Sequence, residues 1–341
     1  MKHMTKTERV KAAINHEPVD RIPFALWPHL TPYDQDPDLL AEMHFKFYTY
    51  LDLDFVKLMP FGLHSVEDYG PVMEKYYKPD IVPVITEPFI KEDSDWDKII
   101  PLDASKGTLG NQVIYAKKMI EKMKEADDVA PVIQTVFSPL TTLFKLVGES
   151  CLMDAIKEKP EVVHKALATI TANTIDYVKK NLEVGVDGFF FATQLANYRF
   201  MNDETYDEFG EKYDLEVMNA YIDDTWFNVI HIHSFTPEKE KSMFQRLVNY
   251  PGNCINWHDR WAGPTFAEAR KITDKCLIGG INEELHHNSM TFGEVYGHIK
   301  EALDAAPDTG IMVGPGCTNY EDTPLENFLA ARIATSKYGQ K

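Results

Sequence analysis

The chain has 341 residues, 44% of them hydrophobic and 26% charged, with a formal net charge of −18. That composition supports a large core and excludes a disordered chain. The acidity argues against nucleic acid and against an acidic membrane surface as partners.

The opening Met1-Lys2-His3-Met4-Thr5 has no apolar stretch behind it, so no secretory signal is expected. Thr5 and Glu8 have capping-box spacing and predict a helix to about Asn15. A loop over His16 to Arg21 leads into Ile22–Trp27, the first strand candidate. Seven further apolar runs follow: Phe55–Met59, Pro131–Phe137, Gly188–Ala192, Asn228–His233, Asn253–Trp257, Cys276–Ile281 and Gly310–Val313. Helical stretches lie between most of them, clearest over Gln112–Glu125, Pro160–Leu182 and Pro264–Ile272. Alternating strand and helix predicts an α/β fold with a parallel sheet, and eight units allow a closed (β/α)8 TIM-type barrel. A doubly wound open sheet is the alternative. Phe61 to Lys106 reads as an elaborated loop or small hairpin, and Phe191 to Thr225 as a helical insertion. No linker or repeat divides the chain, so a single domain over residues 1–341 is expected. No apolar run approaches the ~18 residues of a membrane span. Cys151, Cys254, Cys276 and Cys317 form no CxxC pair, which fits a reducing, cytoplasmic setting.

Parallel barrels carry their chemistry at the carboxyl ends of the strands. In Val229-Ile230-His231-Ile232-His233 the two histidines share one face of a strand. Gly314-Pro315-Gly316-Cys317 follows the last run and places a thiol on the rim. Two imidazoles and a thiol would leave a fourth position open, the form of a catalytic zinc site. A hydrogen-bonded His pair and a small core cysteine are the alternative. His258 and Asp259 end the sixth run and are candidates for proton transfer. Trp27, His29, Gln134, Gln194, Asn282 and Glu283 are candidate substrate-binding residues at or near other strand ends, while Gly279-Gly280 serves a turn. GxGxxG, Walker, GxSxG and HExxH motifs are absent, and so is an Asp-x-His-x-x-Gly pattern for cobalamin.

The segments Glu8–Pro23, Phe137-Ser138-Pro139-Leu140-Thr141, Leu182–Gly188, Val313–Cys317 and Asp322–Asn327 resemble the uroporphyrinogen decarboxylase superfamily over essentially the whole chain. The decarboxylase itself fits poorly. Its arginine-rich segment corresponds to Trp27–Tyr33, which has no Arg. Its catalytic Asp would fall near Val56-Lys57-Leu58, its Tyr near Phe144-Lys145, and its late His at Gly316-Cys317. The chain is more similar to the zinc- and corrinoid-dependent methyltransferase branch. There His231 matches the first His and Cys317 the late Cys, while His233 stands where that branch has Cys. The resemblance implies zinc on His231, His233 and Cys317, a small-molecule methyl donor or acceptor, and a corrinoid carried by a separate protein. Relatives in the superfamily include dimers, so a homodimer is compatible with it.

Overall fold

The computed structural model describes residues 3–31, 33–75, 83–235, 242–282, 290–320 and 322–340. Seven parallel strands form one curled sheet in the order β1-β4-β5-β6-β7-β8-β9. They are β1 (Val56–Lys57), β4 (Val132–Phe137), β5 (Gly188–Thr193), β6 (Val229–Ile232), β7 (Cys254–Trp257), β8 (Cys276–Ile281) and β9 (Ile311–Pro315). The insertion expected to hold a hairpin contains the antiparallel pair β2 (Met73–Glu74) and β3 (Val84–Ile85).

The first strand candidate is not a strand of this sheet. Phe24 makes a single parallel bridge to Val313. Ala25 N–H donates to the Val313 carbonyl at 3.0 Å, and Val313 N–H to the Pro23 carbonyl at 2.8 Å. On its other side Asp54 N–H donates to the Phe24 carbonyl at 2.8 Å. The segment therefore touches both edges of the sheet, but its ladder stops short for a chemical reason. Pro23 and Pro28 bring no N–H, and Phe24 N–H is given to the Asp54 carboxylate at 2.9 Å.

Alternation along the strands sorts side chains into two cores. Phe55, Ile133, Phe190, Ala192, Val229, Cys254, Cys276, Ile278 and Met312 fill the concave side, together with Ala25 and Trp27. Their neighbours Val56, Val132, Phe189, Phe191, Ile230, Ile255, Leu277 and Ile311 face outward against the helices. A sheet buried on both faces accounts for near-continuous apolar strands. Each fully buried aliphatic or phenyl group contributes roughly 1.5–3 kcal/mol.

Helices lie between the strands. The long ones, Gly107–Lys124 and Pro160–Val184, cover the expected periodic segments except Glu125, which caps the first. The one expected over Pro264–Ile272 is only Phe266–Ala269, capped by Thr265. The Phe191–Thr225 insertion is helical over Asp203–Met218, with a π-turn at Asp207–Glu211. The N-terminal helix Lys6–Ile14 carries the Thr5–Glu8 capping box and packs Val10, Ala12 and Ala13 into the concave core. Arg9 pins it there: its guanidinium donates to Asp20 at 2.6 and 2.9 Å and to Asp54 at 2.7 Å. Among the described residues no helix is long and apolar enough to cross a membrane.

Candidate metal centre and adjoining cavity

Four side chains converge at the carboxyl ends of three strands. His231 lies on β6, with His233 just beyond it, where its N–H donates to the Thr193 carbonyl at 3.0 Å. His258 follows β7 directly, and Cys317 follows β9 by two residues. One donor atom from each of His231, His233, His258 and Cys317 can be chosen so that all lie within 4.8 Å of one another. His258 Nε2 stands 3.1 Å from His233 Nδ1, and Cys317 Sγ stands 3.5 Å from the same nitrogen. Tetrahedral zinc, with Zn–N about 2.0–2.1 Å and Zn–S about 2.3 Å, has edges of about 3.3 and 3.6 Å, so these spacings fit it.

The sheet also orients one of these rings. Register places His231 beside Asn256. Asn256 Nδ2 donates to the carbonyls of Ile278 at 2.9 Å and Pro315 at 3.0 Å. Both partners only accept, so the amide is held with its oxygen toward His231 Nδ1 at 2.7 Å. His231 therefore carries its proton on Nδ1 and keeps a lone pair on Nε2. A ring fixed in this way is how proteins prepare a histidine for a metal. Phe190 stacks on the same ring at 5.0 Å.

Burial works to raise the Cys317 thiol. The neighbouring rings of His233, His231 and His258 outweigh burial and hold the thiol well below its ordinary range. That direction favours the thiolate, the form that binds metals. Burial pushes His233 down, toward the neutral imidazole a metal needs.

A cavity of about 290 Å³ opens beside this group. Trp27, His29, Gln194, His231, His233 and Cys317 line it, so three of the residues expected to bind substrate lie next to three of the expected ligands. Burial pushes His29 down to about 4, which keeps it neutral. Trp27 stands edge-on to Phe190, and Gly314 is what admits it: a Cβ there would come within 2.7 Å of the indole. The structure adds Lys57, Met59, Thr135, Phe137, Lys145 and Phe190 to the walls.

Other expected residues are placed elsewhere. Gln134 faces the helix layer, where its Nε2 donates to Asn181 Oδ1 at 3.0 Å; the adjacent Thr135 lines the cavity instead. Asp259 is buried, and its carboxylate accepts Gly280 N–H at 3.0 and 3.1 Å. Gly279 makes room for that carboxylate, since a Cβ would lie 2.6 Å from its Oδ1. The Gly-Gly pair thus seats Asp259 as well as turning the chain. Asn282 donates its backbone N–H to His298 Nε2 at 3.1 Å and does not line the cavity. Glu283 lies outside the described residues. His258, read from sequence as a proton carrier, is placed among the metal-type donors.

A curled parallel sheet with histidines and a thiol at its strand ends defines an α/β protein of the TIM-like class. The chain belongs to the uroporphyrinogen decarboxylase (URO-D) family, whose profile matches residues 5–338. It is 24% identical to the methylcobamide:CoM methyltransferase MtaA of Methanosarcina barkeri (strain Fusaro / DSM 804), over 99% of both chains. It is 26% identical to the uroporphyrinogen decarboxylase of Campylobacter curvus over 49% of this chain and 46% of that one. A solved methyltransferase from Methanosarcina mazei superposes over 98% of this chain and 99% of its own, with a TM-score of 0.83 at 19% identity. Family membership and these relatives place the chain among enzymes.

Proposed function

We propose that the chain is a zinc-dependent methyltransferase that moves a methyl group between a corrinoid on a separate protein and a small molecule. The observation that carries this reading is the convergence of His231, His233, His258 and Cys317 beside a cavity of small-molecule size. The relatives named for methyl transfer to CoM support the class. His231, His233 and Cys317 hold the ion and leave a fourth position open toward the cavity, with His258 beside them. Bound there, zinc supplies a Lewis-acid position that keeps a thiol ionised near neutral pH or polarises a methoxyl oxygen. A thiol, a folate and a methoxylated compound are the small-molecule classes that this chemistry serves.

The protein's own groups do the rest. Asn256 fixes the donor nitrogen of His231. Trp27, Phe137 and Phe190 exclude water from the space in front of the cluster. That space is at the small end of the range for ligand pockets, roughly 300–1,000 Å³. It suits the methyl donor or acceptor, while a corrin ring approaches from outside. We further infer that Ile22–Trp27, bonded to β9 on one side and to Asp54 on the other, closes the barrel in the place of an eighth strand without forming a full ladder, and that the protein works in the cytoplasm.

A corrinoid-independent lyase is the second reading. The half-length match to a decarboxylase favours it. It predicts turnover by the protein alone, and a ligand-binding barrel predicts binding without turnover.

Metal analysis of the purified protein comes first, with about one zinc per chain expected and its loss in His231→Ala and Cys317→Ala. Incubation with methylcob(III)alamin and a panel of thiols and folates, and with cob(I)alamin and methoxylated compounds, is then followed at the corrinoid absorbance bands. Absence of metal-dependent methyl transfer in both directions overturns the reading.

A further inference from the structure

The cavity beside the metal-type cluster is charged against the grain of the molecule. The chain has 53 acidic residues and 35 Lys and Arg. Yet among the described residues no Asp or Glu lines this cavity, whereas Lys57 and Lys145 do. Lys57 lies on β1, between Phe55 and Met59 of the concave face. Lys145 comes from the helix Pro139–Val147, after β4. Two separate elements thus aim an amine into one space.

Neither amine has an adequate partner. Lys57 is buried; its Nζ meets Met59 Sδ at 2.7 Å and the face of Phe190 at 4.6 Å. Lys145 is half-buried, with its Nζ 4.7 Å from the centre of the Phe137 ring. Among the described residues neither forms an ion pair with a carboxylate. A thioether and ring faces offset the loss of water from an ammonium only in part. Burial accordingly pushes Lys57 down to about 7 and Lys145 down to about 8, with the charge of Cys317 pulling each the other way. A dipositive ion on the nearby cluster would add to the positive charge in this space. A ligand that carries its own negative charge would supply the counter-charge that both amines lack.

We propose that Lys57 and Lys145 form an anion-binding end of the cavity, which grips the carboxylate or sulfonate of a small substrate and leaves its other end facing His231, His233 and Cys317. The acid group takes charge-assisted hydrogen bonds from both amines, the strong kind in a space shielded from water. Aliphatic and aromatic surface from Met59, Phe137 and Phe190 covers the short chain between its two ends. Neutral alcohols and amines of the same length are discriminated against, because they leave two ammonium groups without a partner. This specificity names the substrate class of the methyl-transfer site, but it needs neither metal nor corrinoid to be tested.

Calorimetric titration of the metal-free protein at neutral pH uses three matched probes: propionate, propane-1-sulfonate and 1-propanol. At least one of the two anions is expected to bind about tenfold or more tightly than the alcohol, and their order identifies the acid group. Lys145→Gln, at a half-buried position, and Lys57→Met are each expected to weaken anion binding about tenfold and leave alcohol binding unchanged. Melting curves confirm that each variant is folded, and should Lys57→Met fail to fold, Lys145→Gln decides alone. Equal affinity for all three probes overturns the proposal. So does wild-type anion binding in the folded variants, or no binding of either anion at tens of millimolar. Loss of methyl transfer with anion binding intact removes the methyltransferase reading and leaves this one standing.

Discussion

Replacing Asn256 by alanine measures how much metal affinity comes from orienting a single imidazole. The amide accepts from His231 Nδ1 at 2.7 Å while donating to the Ile278 and Pro315 carbonyls. Without it, His231 loses the acceptor that fixes its tautomer, and its proton is free to move to Nε2, the atom required as a donor. A buried N–H left without its partner costs about 1–3 kcal/mol. At about 1.4 kcal/mol per factor of ten, zinc affinity falls by roughly ten- to a hundredfold. Losses of that size are usual when the residue behind a metal-binding histidine is removed. Competition with a chromophoric chelator reads the affinity directly, and His231→Ala, which removes the donor itself, sets the upper limit. The variant must also melt within a few degrees of the parent, so that a folding defect is not taken for a binding one. A folded Asn256→Ala protein that binds zinc within about twofold of the parent would show that the amide does not prepare the ring for metal, and the argument from tautomer would fail.

Three further outcomes test other parts of the structure. Lys57 falls from the ordinary 10.5 to about 7 in the fold because of burial, so the unfolded chain binds the extra proton between those values and stability rises with pH across that window. Lys57→Met is therefore more stable than the parent below about pH 7, by at most about 5 kcal/mol and less where water reaches the amine, with the gain fading above about pH 10. Thermal melts over that range with identical slopes for both proteins would refute it. Asp259→Asn keeps one acceptor for Gly280 N–H and is expected to lose about 1–3 kcal/mol of stability with metal content unchanged; loss of methyl transfer at unchanged stability would instead give Asp259 a chemical role. Arg9→Met strips Asp20 and Asp54 of a buried partner and is expected to lower stability by about 3 kcal/mol in urea unfolding, since Arg21 still holds Asp54; a change under about 1 kcal/mol would show that the clamp is dispensable.

The repeating strand and helix pattern was legible because short apolar runs and long periodic segments alternate along the whole chain. The Thr5–Glu8 cap was legible because its chemistry is local. The pairing of His231 with His233 followed from two-residue alternation alone, and Cys317 from its place after the last strand. The same alternation carries Cys254 and Asn256 along one face of β7 and His258 just past its end. Read as the end of the sixth run, with His258 and Asp259 as proton carriers, Asn256-Trp257-His258-Asp259 hid both the orienting amide and the further metal-type donor. Ile22–Trp27 is strand-like in its apolar character and bonds to β9, but Pro23, Pro28 and the Asp54 carboxylate limit it to a single bridge. The resemblance over Glu8–Pro23 also has a structural cause: Arg9, Asp20 and Arg21 belong to the clamp under the sheet and take no part in the cavity.

Gln134 and Thr135 show why the inner face was hard to read. The run Pro131–Phe137 is buried on both faces, so hydrophobicity does not tell in from out, and a one-residue error of parity selects the wrong side chain. Polar residues inside such runs carry the missing information, because each must be paired or serve the site. Gln134 is matched by Asn181, a polar residue of the packed helix Pro160–Val184, and so marks the outer face. Lys57, Thr135, His231 and Asn256 lack such a helix partner among the described contacts and instead face the common interior. A buried polar residue in a two-sided apolar strand therefore points to the site when the helices that follow supply no polar match. In this chain that criterion selects Lys57 from Phe55-Val56-Lys57-Leu58-Met59, a lysine that composition and motif searches both pass over.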